Sequence, residues 1–280
     1  MKTAISSYSF QFDINRGAET QLSVIAKAKE LGLDAIEFID LAPPEGVSEE
    51  DYAVQLRDEA AAQGIAIAAY TVGADLLRED LDAEVERICR KVDVAVLLGA
   101  SLLRHDATFQ NPPEGWDAVL PRLADGCRRI TEYAAARGVK TMVENHGFFC
   151  QDAVRVEALC RAVSHPNFGL LVDMGNFLCV DDEPLEAVTR TAPYAFHVHV
   201  KDFIKKFADD GCPSDGWIVT RGGNFLRGTV AGHGVVPIAR CIEALKSVGY
   251  DGYVSLEFEG WERLDTALHH GVVYLKQVVG

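Results

Sequence analysis

None of the seven cysteines of this 280-residue chain (Cys89, Cys127, Cys150, Cys160, Cys179, Cys212 and Cys241) forms a CxxC pair. That counts against a thiolate zinc site and a thioredoxin-like redox motif. An odd number of thiols cannot all pair as disulfides, and no secretory leader is legible before residue 10, so reduced, mostly buried thiols in a cytoplasmic protein are the expectation. Also missing is any apolar run near the ~18 residues of a membrane span, which removes the membrane as a partner. Positive charge is scarce, with 27 Lys and Arg against 42 Asp and Glu and a net charge of -15. Such a field repels a phosphodiester backbone, so no nucleic-acid partner is expected. Small molecules fit better.

What the sequence does contain is a repeated layout of apolar strand followed by helical periodicity. Strand-like runs occur in KTAISSYSF, LDAIEFIDL, IAIAAYTV, SLLRHD, KTMVENHG, FGLLVDMGN, AFHVHVKDF and YVSLEFEG, each followed by a helical stretch. Helix signals punctuate them: the Gly32 stop, a Ser48 cap, Pro184 at a helix start and Gly249 after a helix end. Eight such units predict an α/β fold, a single (β/α)8 TIM barrel over residues 1–280. An open doubly wound sheet is the alternative, but the first turn lacks a GxGxxG loop. The pattern breaks once, at the glycine-rich segment from Ile204 to Gly234 after strand seven. A loop of that length is expected to lie over the barrel mouth as a lid or substrate wall. It carries a basic cluster of Lys205, Lys206, Arg221 and Arg227, of which Arg221 is a candidate substrate contact.

Four runs place metal-competent side chains at or near strand ends: Glu144, Asp173, His199 and Glu257. In a parallel barrel these ends converge on one mouth. Three carboxylates and one imidazole suit one divalent cation, Mn2+ first, with Mg2+, Co2+ or Zn2+ as alternatives. Strand seven puts His197 and His199 on one face because side chains alternate with period two, leaving His197 one layer deeper. Asp202 would orient a histidine or form an ion pair. His146, Arg104, His105 and Glu37 are candidates for binding substrate hydroxyls or a phosphate, and His146 is also a candidate proton carrier. An ion chelating a carbonyl and its neighbouring hydroxyl acidifies the intervening C–H and stabilises an enediolate.

VENHG at 143–147, LVDMGN at 171–176, HVHVKD at 197–202, GHGVV at 232–236 and GYDGYVSLEFEG at 249–260 together resemble the sugar phosphate isomerase/epimerase superfamily. Its xylose isomerase-like barrels include ketose 3-epimerases, hydroxypyruvate isomerase and inosose dehydratase. The resemblance implies that Glu144, Asp173, His199 and Glu257 bind one cation, and that Glu144 and Glu257 face opposite sides of the substrate and pass its proton. It implies an isomerase or epimerase acting on a keto sugar or related polyol. The alternatives are a dehydratase or lyase on a keto sugar or inosose, an endonuclease-type phosphodiesterase, and a non-catalytic sugar-binding barrel. Two departures are visible. Asn176 stands where the epimerases usually carry histidine, so its substrate contact is in question, and His233 stands in a Gly-His-Gly turn where relatives often have Gly-Glu-Gly. The nuclease branch would need histidines at Asn176 and in the long segment that this chain lacks. Homo-oligomerisation stays open.

Overall fold

The computed structural model describes residues 1–280. Eight strands close a parallel barrel: β1 (Lys2–Ser6), β2 (Ala35–Phe38), β3 (Ala66–Val72), β4 (Leu102–His105), β5 (Lys140–Glu144), β6 (Phe168–Asp173), β7 (Ala195–Val200) and, after an excursion through β8 (Asp202–Lys206), β9 (Ile218–Val219) and β10 (Phe225–Thr229), the last strand β11 (Tyr253–Leu256). The closed order is β1-β11-β7-β6-β5-β4-β3-β2. Nine helices accompany them: α1 (Gln11–Asn15), α2 (Ser23–Glu30), α3 (Glu49–Gln63), α4 (Leu81–Leu98), α5 (Trp116–Ala135), α6 (Ala153–Val163), α7 (Pro184–Thr191), α8 (Ile238–Ser247) and α9 (Leu264–Val279). None is long and apolar enough to cross a membrane.

Local chemistry sets these boundaries. Ser48 caps α3 by accepting the Asp51 amide at 3.0 Å, a cap worth about 1 kcal/mol, and Asp152 does the same for α6 through the Arg155 amide. The first strand is shorter than its apolar run suggests, because the chain turns at Ser6 into a 3-10 turn over Ser7–Phe10 and then α1. A core of 68 buried apolar residues includes residues from the strands and from the helices around them. Two small sets, Ala4, Ala35 and Ala68, then Ala69, Met142 and Leu171, are separate from it. Parallel register aligns Glu144 with Leu171, and Asp173 with His199, which in turn pairs with Ser255. Alternation then turns Glu37, Arg104, Glu144, Asp173, His199 and Lys201 toward the barrel axis.

The segment after β7 is not an irregular loop. β8 pairs antiparallel with β10, and β10 with β9. β8 continues directly from β7 with one residue between them and β9 pairs over only two residues, so glycine-rich turns and the run-on strand hid this sheet from a period-two reading. Asp202 neither orients a histidine nor forms an ion pair: it accepts backbone amides of Gly232, Gly234 and Val236 at 2.8–3.0 Å. Gly234 is required there, since a Cβ would collide with the Asp202 carboxylate. The far side is fastened by Asp181, which accepts Thr220 Oγ1 at 2.9 Å and Asn224 Nδ2 at 2.7 Å. The segment is therefore a pinned wall of the barrel top.

Candidate active site

Glu144, Asp173, His199 and Glu257 arrive from β5, β6, β7 and the residue after β11, and one ligand atom from each lies within 4.8 Å of the others. All four are buried. His199 Nδ1 is 3.6 Å from Asp173 Oδ2, 3.6 Å from Glu257 Oε1 and 3.9 Å from Glu144 Oε1. Neither His199 Nδ1 nor Asp173 Oδ2 has a hydrogen-bond partner although both are buried. Orphaned buried polar atoms are costly, and two facing each other within an acid set fit a divalent cation. The cluster could hold a metal ion.

The DMGN turn shows how the sequence builds this geometry. Asp173 Oδ1 accepts the amides of Gly175 and Asn176, both at 2.8 Å, which leaves Oδ2 for the cluster. Gly175 has no alternative, because a Cβ would stand 2.8 Å from the Lys201 carbonyl oxygen. Asn145 accepts the Asp173 amide and donates to its carbonyl, both at 2.9 Å, locking β5 to β6. Asn176 is buried and braces the ligands: its Nδ2 donates to Glu144 Oε1 at 2.8 Å and its Oδ1 accepts from Lys201 at 3.3 Å.

Two cations balance the acids. Lys201 Nζ pairs with Glu257 and lies 3.4 Å from both Asp173 Oδ2 and Glu259 Oε2. Burial works against this ammonium, yet Asp173 and Glu257 hold its pKa well above the ordinary value. Burial alone would raise the Asp173 pKa, but the Lys201 and His199 charges bring it down to about 2. Arg104 reaches Glu144 Oε2 at 2.6 Å and clasps Asp106 through two contacts of 2.7 and 3.0 Å. His146 Nδ1 stands 3.0 Å from Asp106 Oδ1 and 3.1 Å from Arg104 Nη2. Burial disfavours its imidazolium, but the Asp106 hydrogen bond and the Glu144 charge more than reverse this and raise its pKa. The side chain is 41% exposed, and its Nε2 makes no hydrogen bond to the protein.

Four sequence-based substrate candidates stand elsewhere. Glu37 is fully buried behind the cluster, where it accepts His197 Nε2 at 2.6 Å and His199 Nε2 at 2.8 Å. His105 follows Arg104 and so points to the opposite face of β4. It is fully buried there, with Nδ1 on the Asp106 carbonyl at 2.9 Å, and burial lowers its pKa to about 4. His233 is exposed in the Asp202 turn beside His270. Arg221 is engaged by Asp152 at 3.1 Å and by the Phe148 carbonyl, tying the excursion to the loop after β5. Sequence reading missed Asp106 altogether and gave Lys201 no role, although alternation from His199 already turned Lys201 inward.

Residues 25–277 match the model of the xylose isomerase-like TIM barrel family. The chain belongs to that family. It is similar to an inosose dehydratase of Lacticaseibacillus casei, 27% identical over 172 residues, which is 60% of this chain and 57% of that protein's length. The fold is similar to that of the probable 3-DHS dehydratase of Bacillus anthracis, with a TM-score of 0.78 and 18% identity over 99% of both chains. It is also similar to a xylose isomerase-like TIM barrel protein of Mycobacterium smegmatis in complex with magnesium, with a TM-score of 0.71 and 20% identity over 92% of this chain and 87% of that one.

Proposed function

We propose that the protein is a metal-dependent carbohydrate lyase that removes water from a keto sugar or keto polyol. The observation that carries this is the Asp106–His146 pair beside a cluster whose two glutamates are already engaged by cations, Glu144 by Arg104 and Glu257 by Lys201. Both glutamates are already held by cations, whereas His146 keeps Nε2 free of the protein and is held as imidazolium by the Asp106 hydrogen bond on its other nitrogen. Glu144, Asp173, His199 and Glu257 would hold one divalent cation, Mn2+ first and Mg2+ next. When bound, the ion supplies Lewis-acid polarisation to a carbonyl and an adjacent hydroxyl oxygen.

His146 Nε2 takes the proton from the carbon beside the carbonyl. The electrons of that C–H bond form a C=C bond as the C–O bond to the neighbouring carbon breaks. The imidazolium hands its proton to the departing hydroxyl, which leaves as water. Arg104 keeps His146 and Glu144 in fixed relation, since one guanidinium nitrogen touches both. The name of the Lacticaseibacillus casei relative supports dehydration. The seven free cysteines support a cytoplasmic setting.

A second reading, epimerisation, is favoured by Glu144 and Glu257 reaching the same site from β5 and from beyond β11. Incubation with Mn2+ and panels of ketoses, 3-keto sugars and inososes in D2O, read by NMR, separates the two. Lyase action yields an unsaturated product and is lost in His146→Gln; an epimer with retained hydroxyls and an active His146→Gln enzyme overturns the lyase reading. Ion binding without deuterium exchange in any substrate would leave a sugar-binding barrel.

A further inference from the structure

A cavity of about 1110 Å3 runs from the turn after β1 and the segment after β11, beside the acid cluster, along α1, α2 and the start of α9. Two of its lining residues connect it to the cluster. Glu259 lies 3.4 Å from Lys201 Nζ and the Tyr8 ring centre lies 6.0 Å from it, while Lys201 itself pairs with Glu257. Its volume slightly exceeds the roughly 300–1,000 Å3 of pockets that enclose drug-sized molecules. One sugar ring held at the cluster leaves it unfilled.

The wall has a definite chemistry. Five aromatic residues line the space, of which Phe12 is 78% exposed, Trp261 55% and Tyr8 38%, while Phe10 and Phe258 are buried. Trp261 is held by Arg227 of β10, whose guanidinium carbon stands 4.9 Å from the indole centre. The pinned excursion thus braces one side of this wall. Between the rings the lining has six carboxylates against three cationic side chains. Lys201 and Arg227 pair with two of these acids, so the wall has mostly paired charges and no spare cation for a phosphate, and an apolar occupant would desolvate charged edges without replacing their hydrogen bonds. A sugar ring meets both demands, with C–H faces for the aromatics and hydroxyls for the edges.

We propose that this cavity binds a second, neutral sugar ring, so that the substrate is a keto sugar glycosidically linked to another sugar. The proposal rests on the carbohydrate reading of the cluster and deepens it. The test compares maltose carrying the ketone at C3 of its reducing ring, where the free anomeric hydroxyl can leave as water, with 3-ketoglucose on the ion-loaded enzyme, alongside binding of unreactive maltose and glucose by saturation-transfer NMR. The wild type is expected to show at least a tenfold lower KM for the two-ring substrate. Phe12→Ala, at a solvent-exposed position, and Trp261→Ala should each bring the two KM values within about twofold of one another. Equal KM values in the wild type, or variants that weaken both substrates equally, overturn the proposal. If neither keto sugar reacts, the lyase reading fails while the cavity is still judged by maltose. Saturation transfer to maltose that Trp261→Ala abolishes supports the second-ring site, and no transfer in the wild type overturns it.

Discussion

Replacing Glu37 by glutamine tests whether the cluster's readiness for an ion is set from behind. The carboxylate accepts His197 Nε2 at 2.6 Å and His199 Nε2 at 2.8 Å, and all three side chains are buried. Burial opposes ionisation of Glu37, but the two histidines more than reverse that and lower its pKa. With Nε2–H held on Glu37, Nδ1 is the nitrogen that faces Asp173 and Glu257; burial disfavours the imidazolium, but the carboxylates around it hold the His199 pKa well above the ordinary value, so a bound ion would take the place of the Nδ1 proton. A glutamine side chain has a single acceptor oxygen, so it satisfies one histidine and presents its NH2 to the other. His199 then either loses its brace or shifts its proton to Nδ1, where an ion can no longer bind. Loss of such a brace typically costs 10- to 100-fold in metal affinity, or about 1.4–2.7 kcal/mol. Calorimetric titration with Mn2+ should show that weakening. On the Mg2+-loaded protein, 15N NMR of the histidine rings should show a proton on His199 Nε2 only in the wild type and a changed protonation pattern in the variant. An unchanged affinity together with an unchanged protonation pattern would refute the reasoning and leave Glu37 as packing.

Three further outcomes follow from the same contacts. Lys201→Met removes the cation shared by Glu257, Asp173 and Glu259, so the ion-free protein should lose about 3 kcal/mol in chemical denaturation and recover most of it when Mn2+ replaces the lost charge; equal losses with and without Mn2+ would contradict this. His105 is neutral in the fold, with its pKa lowered to about 4 from 6.5, so the unfolded chain takes up the proton first as pH falls. Stability from this residue is complete above pH 6.5 and falls by about 1.4 kcal/mol per pH unit toward pH 4, and His105→Asn should lack that component in parallel denaturations. Asp181→Asn weakens the contacts to Thr220 and Asn224, so amides of β9 and β10 should exchange about tenfold faster while those of the barrel strands do not change.

Which parts of the molecule were legible in the sequence follows from the range of the interactions. Strand and helix order rests on periodicity and caps within a dozen residues, so eight strand-then-helix units and caps such as Ser48 could be read directly. The four cluster residues were legible for a different reason: ion chemistry limits residue type, and parallel strands bring their ends together whatever their separation in the chain. Bracing contacts carry neither signal. Glu37 meets His197 across 160 residues and Asp106 meets His146 across 40, and in each case the partner is an ordinary acid in an ordinary segment. One signal was available and unused. Period-two alternation on β4 permits only one of Arg104 and His105 to face inward, and the glutamate ahead of Arg104 in the ring, Glu144, made Arg104 the better choice. The same alternation from His199 points Lys201 at the acids. A buried lysine among carboxylates then becomes a derivable feature of the HVHVK run, because four inward acids without an ion need a cation to remain ionised in a dry interior.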